Sequence, residues 1–285
     1  MNIFDATKNM LEAYKKGQFN IDNWKTYIDS NMHQIKDLCL DDVDECIKAG
    51  LSWKDDYLPV LNAVYQNIDK CDEIRNTFYK ITNNLNDVIY KEFNKELDVD
   101  IILYLGLCNG AGWVTKVNGR TTVLLGIEKI LELNWGGIDA MNGLILHELG
   151  HAYQDQYGVL HREFDSLKNH FLWQLFTEGI AMVFEQQLVG DNNYYHQDIN
   201  GWKDWCSKNI KLIRESFNND LDTMTEGNQR YFGDWVRFEG YGDTGYYLGT
   251  QFVRYILRYD SFDNLISYDI KEVKEEFNKY LAAEI

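Results

Sequence analysis

The chain has 285 residues, 45% hydrophobic and 26% charged, the make-up of an ordinary globular protein with ample material for a core. Its formal net charge of −17 opposes non-specific binding to nucleic acid or anionic membrane, since both need cationic surface; it reads first as a solvated acidic surface, with attraction to basic peptides as the alternative. No run of about eighteen apolar residues is present, so no membrane span is expected.

Met1 to Tyr14 carries Asp5 and Glu12 and lacks a continuous apolar stretch, so it does not read as a secretory signal. The five cysteines (Cys39, Cys46, Cys71, Cys108 and Cys206) are odd in number, scattered and without C-x-x-C pairing. They are expected to be reduced thiols of a cytoplasmic protein, not a disulfide frame or a cysteine metal site.

Residues 1–97 read as a helical region. Met10 and Tyr14 follow Ile3 on one face, and Gly17 is the expected stop. Ile21, Trp24, Tyr27 and Ile28 keep helical spacing, as do Leu58, Leu61, Val64 and Ile68. The longest pattern runs through Ile74, Phe78, Ile81, Leu85, Val88 and Phe93. Pro59, the only proline, fits a first helical turn, where a missing N–H costs little. These faces read as core, and no potential ligands cluster there.

The period changes near residue 98. Val99 to Gly106 is a short apolar run that fits a buried strand. Trp113–Val117 and Arg120–Leu125 flank Asn118-Gly119, the dipeptide of a tight hairpin. Gly136-Gly137 marks a loop, and Asp139 is the expected cap of the helix after it. A loop with Gly158 then leads to a second helical run, whose Phe171, Leu172, Leu175, Phe176, Ile180 and Val183 form a broad apolar stripe. The tail from 191 is aromatic-rich and helical in pattern, with Gly240, Gly242, Gly245 and Gly249 in its middle. The expected fold is α+β, predominantly α: a helical N-terminal region over 1–97, then a small sheet packed on a helix and a helical C-terminal part over 98–285.

The helix after the hairpin carries His147-Glu148-Leu149-Gly150-His151, an H-E-x-x-H in an apolar run. Histidines at i and i+4 share one helical face with Cβ atoms about 5–6 Å apart, from which both rings can reach one zinc ion at about 2.0–2.1 Å. Glu148 points about 100° round the same helix, where it can take a proton from a metal-activated water. A zinc hydrolase of this kind needs a third protein ligand and an open position. The pattern H-E-x-x-H-x-x-G-x-x-H is absent, because Gln154 and Tyr157 stand at its glycine and last histidine. His161, Glu163, Asp165 and His170 lie in or beside the following loop, outside any recognisable pattern. Glu178 is better placed, on the next helix in Phe176-Thr-Glu-Gly-Ile-Ala-Met-Val-Phe-Glu185, where Gly179 with Ala181 would let that helix approach the first closely.

H-E-L-G-H followed by a helix bearing E-G-I-A resembles the gluzincin metallopeptidases. With Gly245-Tyr-Tyr-Leu-Gly249 downstream, it is similar to predicted zinc proteases with a thermolysin-like catalytic domain. The likeness covers about residues 98–260 and implies a zincin-like catalytic domain, with Glu178 joining His147 and His151 as zinc ligands. It departs from thermolysin at Met182, where an aspartate there supports a ligand histidine; Glu185, one turn on, is the residue on the same face for that orienting role. Gluzincins commonly add a tyrosine or histidine oxyanion donor from C-terminal helices, which implies Tyr246 here, with Tyr247 behind it.

The function these residues imply is zinc-dependent hydrolysis of peptide bonds, with Glu148 as general base and a peptide or protein as substrate. An extended peptide would add to an exposed sheet edge, either a strand of the 113–125 hairpin or Asn109-Gly-Ala-Gly112 before it. The alternative is a catalytically idle zincin scaffold that binds or regulates; an intact Glu148 favours the peptidase.

Overall fold

The computed structural model describes residues 1–284. It is about 59% helix and about 10% strand, an α+β protein that is predominantly α. The strands are β1 (Asn2–Asp5), β2 (Tyr14–Lys15), β3 (Gln18–Phe19), β4 (Asp100–Tyr104), β5 (Gly112–Val117) and β6 (Arg120–Gly126). The helices of the first half are α1 (Ile21–Met32), α2 (Ile35–Lys48), α3 (Leu58–Gln66), α4 (Ile68–Thr82), α5 (Leu85–Phe93) and α6 (Ile127–Glu132). The remaining helices are α7 (Ile138–Tyr157), α8 (Leu167–Val189), α9 (Trp202–Lys208), α10 (Ile210–Asp220), α11 (Thr244–Ile256), α12 (Phe262–Leu265) and α13 (Ile270–Ala282). The chain forms two compact units, Met1–Glu148 and Leu149–Ile285, and the division falls inside the continuous helix α7.

The first unit is built on a four-stranded sheet of order β1-β4-β6-β5. β4 is the apolar run Asp-Ile-Ile-Leu-Tyr, and its last four residues are buried. A strand apolar on both faces belongs inside a sheet, and β4 pairs in parallel with β1 on one side and β6 on the other. β5 and β6 form the expected antiparallel hairpin: Val117 faces Arg120, and Asn118 and Gly119 turn the chain at φ 54° and 75°. β5 is therefore an edge strand, paired only with β6 among the described residues. Trp24 and Tyr27 of α1, both fully buried, tie that helix to the end of β4. The Trp24 indole donates to the Leu105 carbonyl at 3.0 Å, and the Leu105 N–H donates to the Tyr27 hydroxyl at 3.1 Å.

The first hundred residues correct the sequence reading in several places. Ile3 lies in β1, Met10 in a 3-10 turn over Thr7–Ala13 and Tyr14 in β2, so the three do not share a helix face. Helical spacing arose there by coincidence across three short elements. Gly17 does not stop a helix; with Lys16 it turns the β2–β3 hairpin at φ 76° and 51°. The helical stretches after residue 20 did form, and Pro59 does stand in the first turn of α3. Asn67 separates α3 from α4, so Ile68 opens a new helix. A division near residue 97 separates β1 from β4, its parallel partner in one sheet. Asp139 lies inside the first turn of α7, suited to the helix dipole, while the Gly137 carbonyl accepts the first helical bond from Met141 at 3.0 Å.

The second unit is organised around α8, which is buried on nearly every side from Asn169 to Gln186. A helix apolar all round needs neighbours all round. Two glycine contacts supply the closest of them. A Cβ on Gly150 of α7 would lie 2.8 Å from Ala181 Cα of α8. A Cβ on Gly179 would lie 2.3 Å from the Gly249 carbonyl oxygen of α11, and one on Gly249 would lie 2.4 Å from the Leu175 carbonyl oxygen. Ala181 thus serves the approach to α7 as expected, but Gly179 serves α11 instead. Because the two nearest obstacles at Gly179 are backbone atoms of Gly249, Gly179→Ala is expected to destabilise the protein by about 3 kcal/mol, read as a lower urea midpoint at unchanged slope.

Candidate metal centre

Helix α7 brings His147 and His151 onto one face, and the Gly150–Ala181 crossing sets α8 beside it with Glu178 one turn before the contact. One ligand atom from each of His147, His151 and Glu178 lies within 4.8 Å of the others. His151 Nε2 and Glu178 Oε2 are 3.2 Å apart. Two donors of one tetrahedral zinc, each at about 2.0–2.1 Å, sit about 3.3 Å from each other, so this spacing and the donor set of two imidazoles and a carboxylate fit such an ion. His151 and Glu178 keep side-chain exposures of 12% and 14%, so this group is reachable from solvent.

A second group shares His147. Its ligand atom lies within 4.8 Å of ligand atoms of Glu185 and His196. Glu185 is fully buried on α8, and both its oxygens sit 3.0 Å from His196 Nδ1; Oε1 also accepts from the His196 backbone N–H at 3.3 Å. The side-chain exposures of His196 and Glu185 are 3% and 0%, so this group is closed to solvent. An ion with an open coordination position belongs in the first group. In the second, the buried carboxylate of Glu185 is held by His196 and lies near His147, a placement from which a carboxylate could orient that ring if it bound an ion.

Glu148, 5% exposed, lies against the edge strand. A Cβ at Gly112, the first residue of β5, would meet the Glu148 Cγ and Oε1 at 2.6 Å each. Of the two edges left open by the sequence, the structure makes β5 the sheet edge that borders Glu148, with Asn109–Ala111 as the loop that leads into it.

The two adjacent tyrosines of α11 part ways. Tyr247 is core: it stacks on Tyr195 at 5.3 Å and meets Trp202 edge-on at 6.0 Å. Tyr246 is half-buried and lies edge-on to Phe232 at 6.0 Å, on the helix whose Gly249 abuts Gly179, the neighbour of Glu178. His161, Glu163, Asp165 and His170 are all exposed, and none belongs to either ligand group; His170 lies 3.4 Å from Glu226.

Sequence reasoning missed His196, which sits in an irregular segment where no period or spacing marks a residue as buried. It also missed Asp243, at the start of α11 with φ 53°, which accepts from the Gly233 N–H at 3.0 Å. Burial first, then the charge of Asp234, pushes the Asp243 acid up to about 7, and the charge of Glu178 adds to the rise. No family model, curated protein or solved structure matches the chain.

Proposed function

We propose that the protein is a zinc metallopeptidase of gluzincin type, in which His147, His151 and Glu178 hold the ion. The observation that carries this reading is the convergence of those three ligand atoms within 4.8 Å, from two helices whose backbones meet at Gly150 and Ala181. A zinc ion held there would polarise a substrate carbonyl and bring the pKa of a water it binds toward about 7. Glu148, one residue from His147 and beside the edge strand, accepts the proton of the attacking water and returns it to the leaving amine. A peptide pairing with β5 through its main chain would run past Glu148, and the missing side chain at Gly112 gives the carboxylate room there. Tyr246 is the hydroxyl donor assigned to the developing oxyanion.

The test is metal content followed by cleavage of a mixed peptide library. Wild type is expected to hold zinc at about one ion per chain and to cleave, and Glu178→Gln to lose both. Zinc-free wild-type protein prepared with zinc present would refute the reading. The second reading, a closed metal centre without catalysis, draws on the buried group of His147, Glu185 and His196. His196→Asn separates the two: it leaves zinc bound and cleavage measurable under the first, and removes the ion under the second.

A further inference from the structure

Glu128 lies on α6, 1% exposed, far in sequence from the H-E-x-x-H motif. Its carboxylate accepts from two backbone N–H groups of the loop that joins β4 to β5: Gly106 to Oε2 at 2.9 Å and Cys108 to Oε1 at 3.0 Å. The fit is tight, since a Cβ on Gly106 would lie 2.6 Å from Oε1 and one on Gly126 would lie 3.1 Å from it. The neighbouring Lys129 pairs with Glu132, and its charge is only the smallest of the influences on Glu128. Burial pushes the Glu128 acid up to about 7 despite those N–H groups, so holding a carboxylate here costs stability. The same loop is tied at its far end, where Asn109 Nδ2 donates to the Cys39 carbonyl at 3.0 Å and to Asp42 Oδ2 at 2.8 Å. Gly126 N–H then donates to the Ala111 carbonyl at 3.0 Å, just before Gly112.

We propose that Glu128 is a positioning residue for peptide binding: by clamping the 106–111 loop it fixes where β5 begins, and so where a substrate strand on that edge passes Glu148. The inference rests on the peptidase reading and adds to it a group that touches neither ion nor substrate. Its effect travels along the edge strand, so it falls on substrates in proportion to how many of their residues pair with β5.

The experiment takes one library peptide that wild type cleaves and trims it from about ten residues to the shortest form still cut. Glu128→Gln keeps the shape but replaces one acceptor oxygen by an NH2, which cannot accept from a backbone N–H. It is expected to raise KM about tenfold for the longest peptide, as loss of one or two main-chain hydrogen bonds would. KM for the shortest peptide should change by less than a factor of about two, with zinc content unaltered. Asn109→Ala, which loosens the same loop from its other end, is expected to repeat the pattern more weakly, and it decides the matter alone if Glu128→Gln fails to fold. Losses equal at every length, or none in either variant, overturn the positioning role while wild-type cleavage keeps the peptidase reading. Wild type without zinc and without cleavage refutes that reading, and this inference with it.

Discussion

Peptide cleavage by Glu148→Gln is expected to fall by about 10²–10⁴-fold while zinc stays bound. The amide keeps the size of the carboxylate and its place against Gly112, so the edge strand has no reason to move. What it loses is the capacity to accept a proton and pass it on. The loss should lie in kcat, with KM little changed, because in the proposed mechanism Glu148 acts on the attacking water and the leaving amine and not on the bound peptide. Zinc measured on the same preparation guards against the trivial cause. Full activity in a zinc-loaded variant would remove Glu148 from the mechanism.

Glu185→Ala is the second large effect expected, and it reads on two instruments. Glu185 is fully buried and engages His196 through both oxygens and through the His196 backbone N–H. Removing one member of such a pair strands the other away from water, at about 3 kcal/mol or more. Denaturant unfolding of the metal-free protein measures that part. The second readout is zinc affinity by chelator competition, expected to weaken about 10–100-fold under the proposal that Glu185, with a ligand atom within 4.8 Å of one of His147, orients that ring. Glu185→Gln keeps an acceptor oxygen and should recover most of the stability. Unchanged zinc affinity in Glu185→Ala would confine Glu185 to the core.

The parts of this molecule that were legible in its sequence are those whose signal is local. An i, i+4 histidine pair needs only a helix, and α7 is one across the whole motif. Asn118-Gly119 dictates its own turn, and the apolar run at β4 dictates burial on both faces. The placement of Glu178 beside His151 was readable because small residues near it announced close helix packing, although Gly179 proved to face α11. β1 was not readable: four residues, Asn-Ile-Phe-Asp, carry no alternation strong enough to outweigh a chance helical spacing, and their strand character comes from β4, nearly a hundred residues on. His196 was hidden for the same reason, since its partner Glu185 is reached only through the fold. Glu128 did leave a trace, as a lone carboxylate inside Val-Leu-Leu-Gly-Ile-Glu-Lys-Ile-Leu, and a charge in such a run deserves the question of what neutralises or binds it.

The contact between Gly179 and Gly249 has a bearing on how the protein is made. Seventy residues separate the two glycines (249 − 179 = 70), and their close packing cannot form until both helices exist. A chain leaving the ribosome therefore presents Glu178 well before α11 emerges to hold it. At about 5–20 residues per second that interval lasts several seconds. During it the apolar surface of α8 that packs on α11 has nothing of α11 to cover it.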